Sequence, residues 1–354
     1  MIYLFNLLYS TIYSTFIKKM KFLYFLPVFI VWVGIIGLQY DVGTDYFSYL
    51  NIFNDENYLN IYFNKKEYIF FYFVKILKIF FKNGQSFFIM VSFLENILFY
   101  LFIKNLVKYK FLEIKDLWIF IFTFFSYGTV FYNQMNGIRQ YFNIYLFSMA
   151  MIFSFYSQKI KYIFIFITGS YIHQSFLYLF PCYFYKIIEK ALTKKFLLYL
   201  FLVVIISNFL PIPELVKKFI HLVPEYKHYI DKFTLDIINS KMKIVKFIFI
   251  PFYIESIYLL DKIEEKPKQW FLKLGIVSFA IRIFCLRTMM LNRIGEYFNL
   301  LSIFPICYLL IFYYRTNKKV KFLLLASMII GLFLVKTLIL PQKEYLYKCV
   351  LFYN

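Results

Sequence analysis

The chain has 354 residues, 62% of them apolar, and a mean hydropathy of +0.66. That composition excludes an ordinary soluble domain and reads as an all-α, polytopic integral membrane protein, a single multi-pass domain over residues 1–354. The net charge of +21 does not imply a nucleic-acid partner, because the lysines sit in short loops between apolar runs, where basic residues set topology.

Apolar runs fall at 1–17, 22–38, 86–103, 117–132, 141–157, 196–212, 244–260, 270–286, 296–314 and 322–340. Each is roughly 16 to 19 residues long, near the lower limit for crossing hydrocarbon. Met1–Ile17 reads as a first span, since no charged, apolar and small-residue regions follow in the order of a cleaved signal. Tyr68–Phe81 is interrupted by Lys75 and Lys78 and reads as an amphipathic helix in the interface, inside an outer loop over 39–85. Segment 160–188 is too long for one upright helix and has a polar break at Gly169–Gln174. It reads as a re-entrant or paired short-helix segment, with irregular backbone that protein or water must cover. A further outer loop spans 213–243, where His221 and His228 are expected to be solvated.

Lysine placement gives the orientation. The Lys18–Lys21 turn, the 104–116 loop, Lys159 with Lys161, the 186–195 loop, the Asp261–Lys268 turn and Arg315–Lys321 all read as cytoplasmic. They agree with one another only if Tyr68–Phe81 does not cross and 160–188 crosses twice. About twelve transmembrane helices follow, within a range of about ten to fourteen, with both termini outside. Loop 39–66, the Asn133–Gln140 turn, the His173 break, 213–243 and 287–295 then share the outer face. No glycine-rich phosphate loop or HExxH pair is present, and the four Cys form no CxxC or Cys/His cluster. No metal and no cofactor is therefore expected.

The candidate residues are those whose chemistry is costly beside lipid. Arginine is scarce: of 40 basic residues, only 139, 282, 287, 293 and 315 are Arg. Arg139 and Gln140 head a span on the outer side, where topology gives an arginine no task, and a guanidinium there suits a diphosphate. His173 lies at a helix break and could accept a proton or bind substrate. In the first outer loop, Gly43 permits a tight turn. Thr44 or Asp45 could cap the helix that follows, or Asp45 with Tyr46 and Tyr49 could face a sugar. Glu67 heads the interfacial helix, where a carboxylate suits the helix dipole or a substrate contact. Arg282, Arg287 and Arg293, with Asn292 and Tyr297, gather where a polyanionic headgroup would bind.

In chain order, Val42–Tyr49 (VGTDYFSY), Glu67 before its apolar helix, Ile138–Gln140 (IRQ), the His173 segment and Asn292–Phe298 (NRIGEYF) resemble the EpsG family of Wzy-like O-antigen and capsular polysaccharide polymerases. The likeness covers roughly residues 35–315. Gln39 stands where that family tends to carry a basic residue. The resemblance implies polymerisation of polyprenyl-diphosphate-linked oligosaccharide repeats at the outer leaflet of a bacterial inner membrane, with lipid diphosphate as leaving group. On their shared outer placement, Asp45 or His173 could accept the attacking hydroxyl's proton and the arginines, Arg139 among them, could neutralise the departing diphosphate, with Gly43, Thr44, Tyr46, Tyr49, Glu67, Gln140, Arg282, Arg287, Asn292, Arg293 and Tyr297 as expected substrate contacts. The resemblance also implies the lipid bilayer as partner and leaves room for a chain-length regulator. Two other readings keep the same residues: a flippase for the lipid-linked oligosaccharide, which needs a cavity open to both sides, and a membrane O-acyltransferase, which needs a cytosolic approach to His173.

Overall fold

The computed structural model describes residues 1–207, 210, 247–285, 294–341 and 343–352, and most of these are helical. Among the described residues there is no strand, only an isolated antiparallel bridge between Gln39 and Cys349. The chain divides into two compact units, Met1–Tyr185 with Leu310–Asn354, and Lys186–Leu309.

The first unit begins with α1 (Ile2–Thr15) and α2 (Phe22–Gly37). Three short helices follow, α3 (Tyr46–Asn54), α4 (Glu56–Asn64) and α5 (Tyr68–Phe80). Next come α6 (Gly84–Lys108), α7 (Leu117–Ser126), the single turn α8 (Val130–Asn133), α9 (Ile138–Phe155) and α10 (Lys159–Ile172). A 3₁₀ helix over Gln174–Tyr183 leads into α11 (Tyr185–Ala191).

Packing pairs α2 with α6, α6 with α9, α9 with α10 and α1 with α7. Aromatic side chains fill the contacts. Phe99 stacks on Phe124 with ring centroids 4.1 Å apart, and Trp32 lies between Phe99 and Phe125. The Trp32 indole donates to Ser10 Oγ at 2.9 Å, and Ser10 donates to Asn6 Oδ1 at 3.0 Å, so these buried polar groups are paired.

Two clusters of polar contacts mark opposite ends of these helices. At one end the Tyr156 hydroxyl donates to the Tyr109 carbonyl at 2.8 Å, Gln158 donates to the Tyr109 hydroxyl at 2.9 Å, and Tyr100 donates to the Met20 carbonyl at 3.2 Å. Arg315 closes this end by pairing with Asp116 and, at 2.9 Å, with Glu113. At the other end lie the 38–45 loop, the Asn133–Gln140 turn, His173 and the 343–350 segment.

The second unit contains α12 (Lys194–Ser207), α13 (Ile250–Tyr258) and α14 (Lys266–Cys285), with α12 and α13 packed on α14. Tyr253 stacks on Phe279 at 3.5 Å, and its hydroxyl donates to the Ser302 carbonyl. The helix α15 (Phe304–Arg315) leads back into the first unit, which ends with α16 (Lys319–Leu334) and a π-helical turn over Val335–Ile339.

Among the described residues, two helices are long and apolar enough to cross a membrane, Gly84–Lys108 and the continuous Lys319–Ile339. Phe22–Gly37 and Leu301–Arg315 are apolar but shorter. The segment expected to form the interfacial helix is helical, as α5. The expected break in 160–188 falls at His173, whose backbone is extended (φ −154°, ψ 119°), but the segment beyond it is 3₁₀ rather than α.

Candidate functional site

The site of the first unit is built on Glu67. It occupies the N-cap position of α5, yet its side chain does not cap that helix. The carboxylate turns away and is bound twice. One oxygen takes the Arg139 guanidinium, and the other lies 2.8 Å from His173 Nδ1. The Gln174 amide adds a longer contact at 3.4 Å. The capping role expected of Glu67 is therefore replaced by a clasp, because two cationic or hydrogen-bonding groups outcompete the free amides of one helix end.

Burial pushes the Glu67 carboxyl up, but the His173 hydrogen bond and the Arg139 charge outweigh it and hold the group below its ordinary value. Only 3% of the Glu67 side chain is exposed, against 18% for Arg139 and 28% for His173, so the imidazole is the most accessible member of the cluster.

Helix α9 positions the other two. Arg139 and Asn143 lie four residues apart, on one face. Arg139 meets Glu67, and Asn143 donates to the Gly169 carbonyl at 2.9 Å and the His173 carbonyl at 3.5 Å. Asn143 thus fixes the backbone at the point where α10 ends. Gly169 makes the fold-back possible, since a Cβ there would sit 2.7 Å from the Phe176 ring. The Arg139 guanidinium carbon lies 4.3 Å from the Tyr62 ring centroid and 5.4 Å from that of Phe70, cation–π geometry that compensates for lost hydration. Its Nε is buried without a hydrogen-bond partner.

The 42–49 segment reaches the same site. Asn136 Oδ1 accepts from the Thr44 amide at 2.7 Å, the Asp45 amide at 2.8 Å and the Thr44 hydroxyl at 3.1 Å. Gly43 has φ +79°, and a Cβ on it would lie 2.6 Å from that oxygen, so only glycine fits the turn. Thr44 and Asp45 are exposed. Asp45 is the N-cap residue of α3, but neither it nor Thr44 makes the expected side-chain cap.

Tyr46 and Tyr49 are buried rather than presented to solvent. Tyr46 stacks face to face on Phe88, with centroids 4.6 Å apart, and donates to Gln85 Oε1 at 3.2 Å. Tyr49 is raised to about 12 by burial, opposed by the Arg139 charge and reinforced by Asp45. Asp45 acts in the same direction on Tyr62. Asp45, Tyr49, Tyr62, Glu67 and Arg139 therefore share one electrostatic neighbourhood.

Gln140 is half-buried on α9. In the second unit Arg282 is half-buried and donates to Ser302 Oγ at 3.2 Å, and Tyr297 is fully buried. Arg287, Asn292 and Arg293 lie outside the described residues, as do His221, His228 and the 213–243 loop.

Sequence reasoning missed Tyr62, Asn136, Asn143 and Glu344. Asn143 was detectable from its four-residue spacing to Arg139. Glu344, whose Oε1 lies 3.5 Å from Asn136 Nδ2, carries no sequence signal that places it beside residue 136.

A family model for the EpsG family matches residues 21–353. The chain belongs to the EpsG family. The match covers nearly the whole chain and includes every element of the Glu67 cluster. No curated protein and no solved structure matches it. The EpsG family is associated with polysaccharide biosynthesis, and the apolar helices accord with a membrane protein of that kind.

Proposed function

We propose that this EpsG-family protein polymerises polyprenyl-diphosphate-linked oligosaccharide repeats at the outer leaflet of the bacterial inner membrane. The observation that carries the reading is the Glu67–His173 pair held by Arg139 at the end of the first unit where Asp45 is exposed.

The chemistry follows from the protonation pattern. An ionised Glu67 only accepts hydrogen bonds, so His173 Nδ1 is the donor, and in the neutral imidazole the lone pair then lies on Nε2. No hydrogen bond to Nε2 is found among the described residues. Nε2 is the proposed general base. It takes the proton from a hydroxyl at the non-reducing end of one lipid-linked chain. The hydroxyl oxygen bonds to the anomeric carbon of another chain's reducing-end sugar. The bond from that carbon to the diphosphate breaks, and its electron pair leaves with the lipid diphosphate. Glu67 stabilises the imidazolium that forms, and Arg139 keeps Glu67 charged. Asp45 is proposed to hold hydroxyls of the incoming sugar. By charge alone, Arg282, Arg287 and Arg293 of the second unit are proposed to suit an anionic headgroup.

The twelve-span topology with both termini outside belongs to this reading. Its support lies in the first unit. Loops expected to be cytoplasmic by lysine content meet one another around Tyr109, Gln158 and Arg315, and loops expected to be external meet around Asn136 and Glu67. The short elements can also reach. Ten residues of 3₁₀ helix rise about 20 Å, as far as the fourteen residues of α10 in α form.

The test is deletion of the gene with gel display of surface polysaccharide. The expected result is a change from a ladder to a single repeat, restored by the wild-type gene. His173→Ala at normal membrane abundance is expected to lower polymer formation by about a hundredfold or more. Full polymer from His173→Ala would remove the proposed base. Loss of all surface repeats on deletion would point to a flippase instead.

A further inference from the structure

The proposed reaction needs Asp45 held in place. Asp45 sits on an exposed turn whose own side chains supply no cap. Its position is set from outside by one amide. Asn136 Oδ1 receives three donors, two of them backbone amides of consecutive residues, at 2.7 and 2.8 Å. The turn closes this tightly only because residue 43 has no Cβ. Asn136 also precedes Arg139 by three residues, at the start of α9. One short turn therefore fixes both Asp45 and the guanidinium that clasps Glu67.

The same turn is tied from its other side. The Tyr40 amide donates to the Lys348 carbonyl at 2.9 Å, the Val350 amide to the Leu38 carbonyl at 2.9 Å, and the Gly43 amide to the Lys343 carbonyl at 3.3 Å. Lys348 pairs with Asp41 at 2.8 Å. Glu344 approaches Asn136 Nδ2 at 3.5 Å, and its carbonyl accepts from the Tyr3 hydroxyl at 3.0 Å.

We infer that Asn136 is a positioning residue for the reaction: it holds Asp45 at the working distance from the Glu67–Arg139–His173 cluster, with Lys343–Val350 as a strap across the back of the turn. The inference rests on the polymerase reading. Asn136 does not touch substrate in this account. It acts through Asp45, so its effect must vanish when Asp45 is already lost.

The experiment uses full-length protein in detergent and, as probe, the lipid-linked repeat extracted from the deletion strain. Turnover and thermal unfolding are measured for wild type, Asn136→Ala, Asp45→Asn and the double variant. Asn136→Ala is expected to lower turnover by about a hundredfold, the scale of a small misplacement of a reacting group. The double variant is expected to be no slower than Asp45→Asn alone. A fourth variant separates geometry from bulk. Asn136→Asp keeps the accepting oxygen but sets a carboxylate against Glu344, and adding Glu344→Gln restores a donor there. Turnover is expected to fall in the first and to recover in the pair. Multiplicative loss in the double variant, unchanged turnover in Asn136→Ala, or no recovery with Glu344→Gln would overturn the inference while the polymerase reading stands. A wild-type protein that makes no polymer from the extracted repeat would overturn the polymerase reading, and the inference with it.

Discussion

Glu67 shows how a carboxylate can be almost fully buried in so apolar a chain. Its two oxygens have separate partners, one cationic and one able to become so, and the cation is itself covered by Tyr62 and Phe70. Removing the carboxylate leaves Arg139 charged and largely enclosed, a loss of about 3 kcal/mol for a mostly buried pair. The pH dependence follows from the direction of its shift. The folded-state value lies below the ordinary 4.5, so the clasp contributes its full stability above that pH. The contribution is lost as pH falls through the lower folded value. Thermal unfolding of wild type and Glu67→Gln should therefore differ by several degrees at neutral pH, and the gap should close only under acid conditions. An equal gap at neutral pH and at about pH 3 would contradict this account.

At the scale of elements, the site depends on the hairpin formed by α10 and the 3₁₀ helix after it. The fold-back needs Gly169, because the Phe176 ring occupies the place of any side chain. Gly169→Val is expected to push this ring away, shift His173 off Glu67 and lower polymer formation by about a hundredfold. Comparing its gel ladder with that of Gly34→Ala tests this, since a Cβ at Gly34 meets nothing within 4 Å. The sequence made the break legible: Thr168-Gly169-Ser170 followed by His173-Gln174 in an apolar run cannot continue as a lipid-facing helix. It did not reveal that the second half is 3₁₀, because apolar periodicity over ten residues does not separate the two helical forms. Glu67 and Asp45 were legible as ionisable groups beside helix starts. The capping roles were the natural local reading; for Glu67 it failed because Arg139 and His173, 72 and 106 positions away in the chain, bound the carboxylate more strongly.

For the whole molecule, the lysine pattern and the contacts agree within the first unit. Arg315 meets Asp116, 199 residues away in the chain, and its neighbour Glu113, and both loops carry the charge expected of one side. Sidedness is testable with the four native Cys replaced. Ser48→Cys should react with an impermeant maleimide added to intact spheroplasts, and Lys108→Cys only after the membrane is opened. Both positions are exposed. Reversed labelling would turn the Glu67 cluster toward the cytosol. The helix count was poorly legible, since spans this short approach the length of ordinary core helices.

The bond between Lys348 and Asp41 closes a separation of 307 residues. A ribosome makes Asp41 long before Lys348. Until Lys343–Val350 emerges and docks, the nascent protein holds the 38–45 turn only by Asn136 and by Gln85, which donates to the Gly37 and Gln39 carbonyls. A chain cut before Lys343 is therefore expected to insert with the Asp45 turn unfastened on that side.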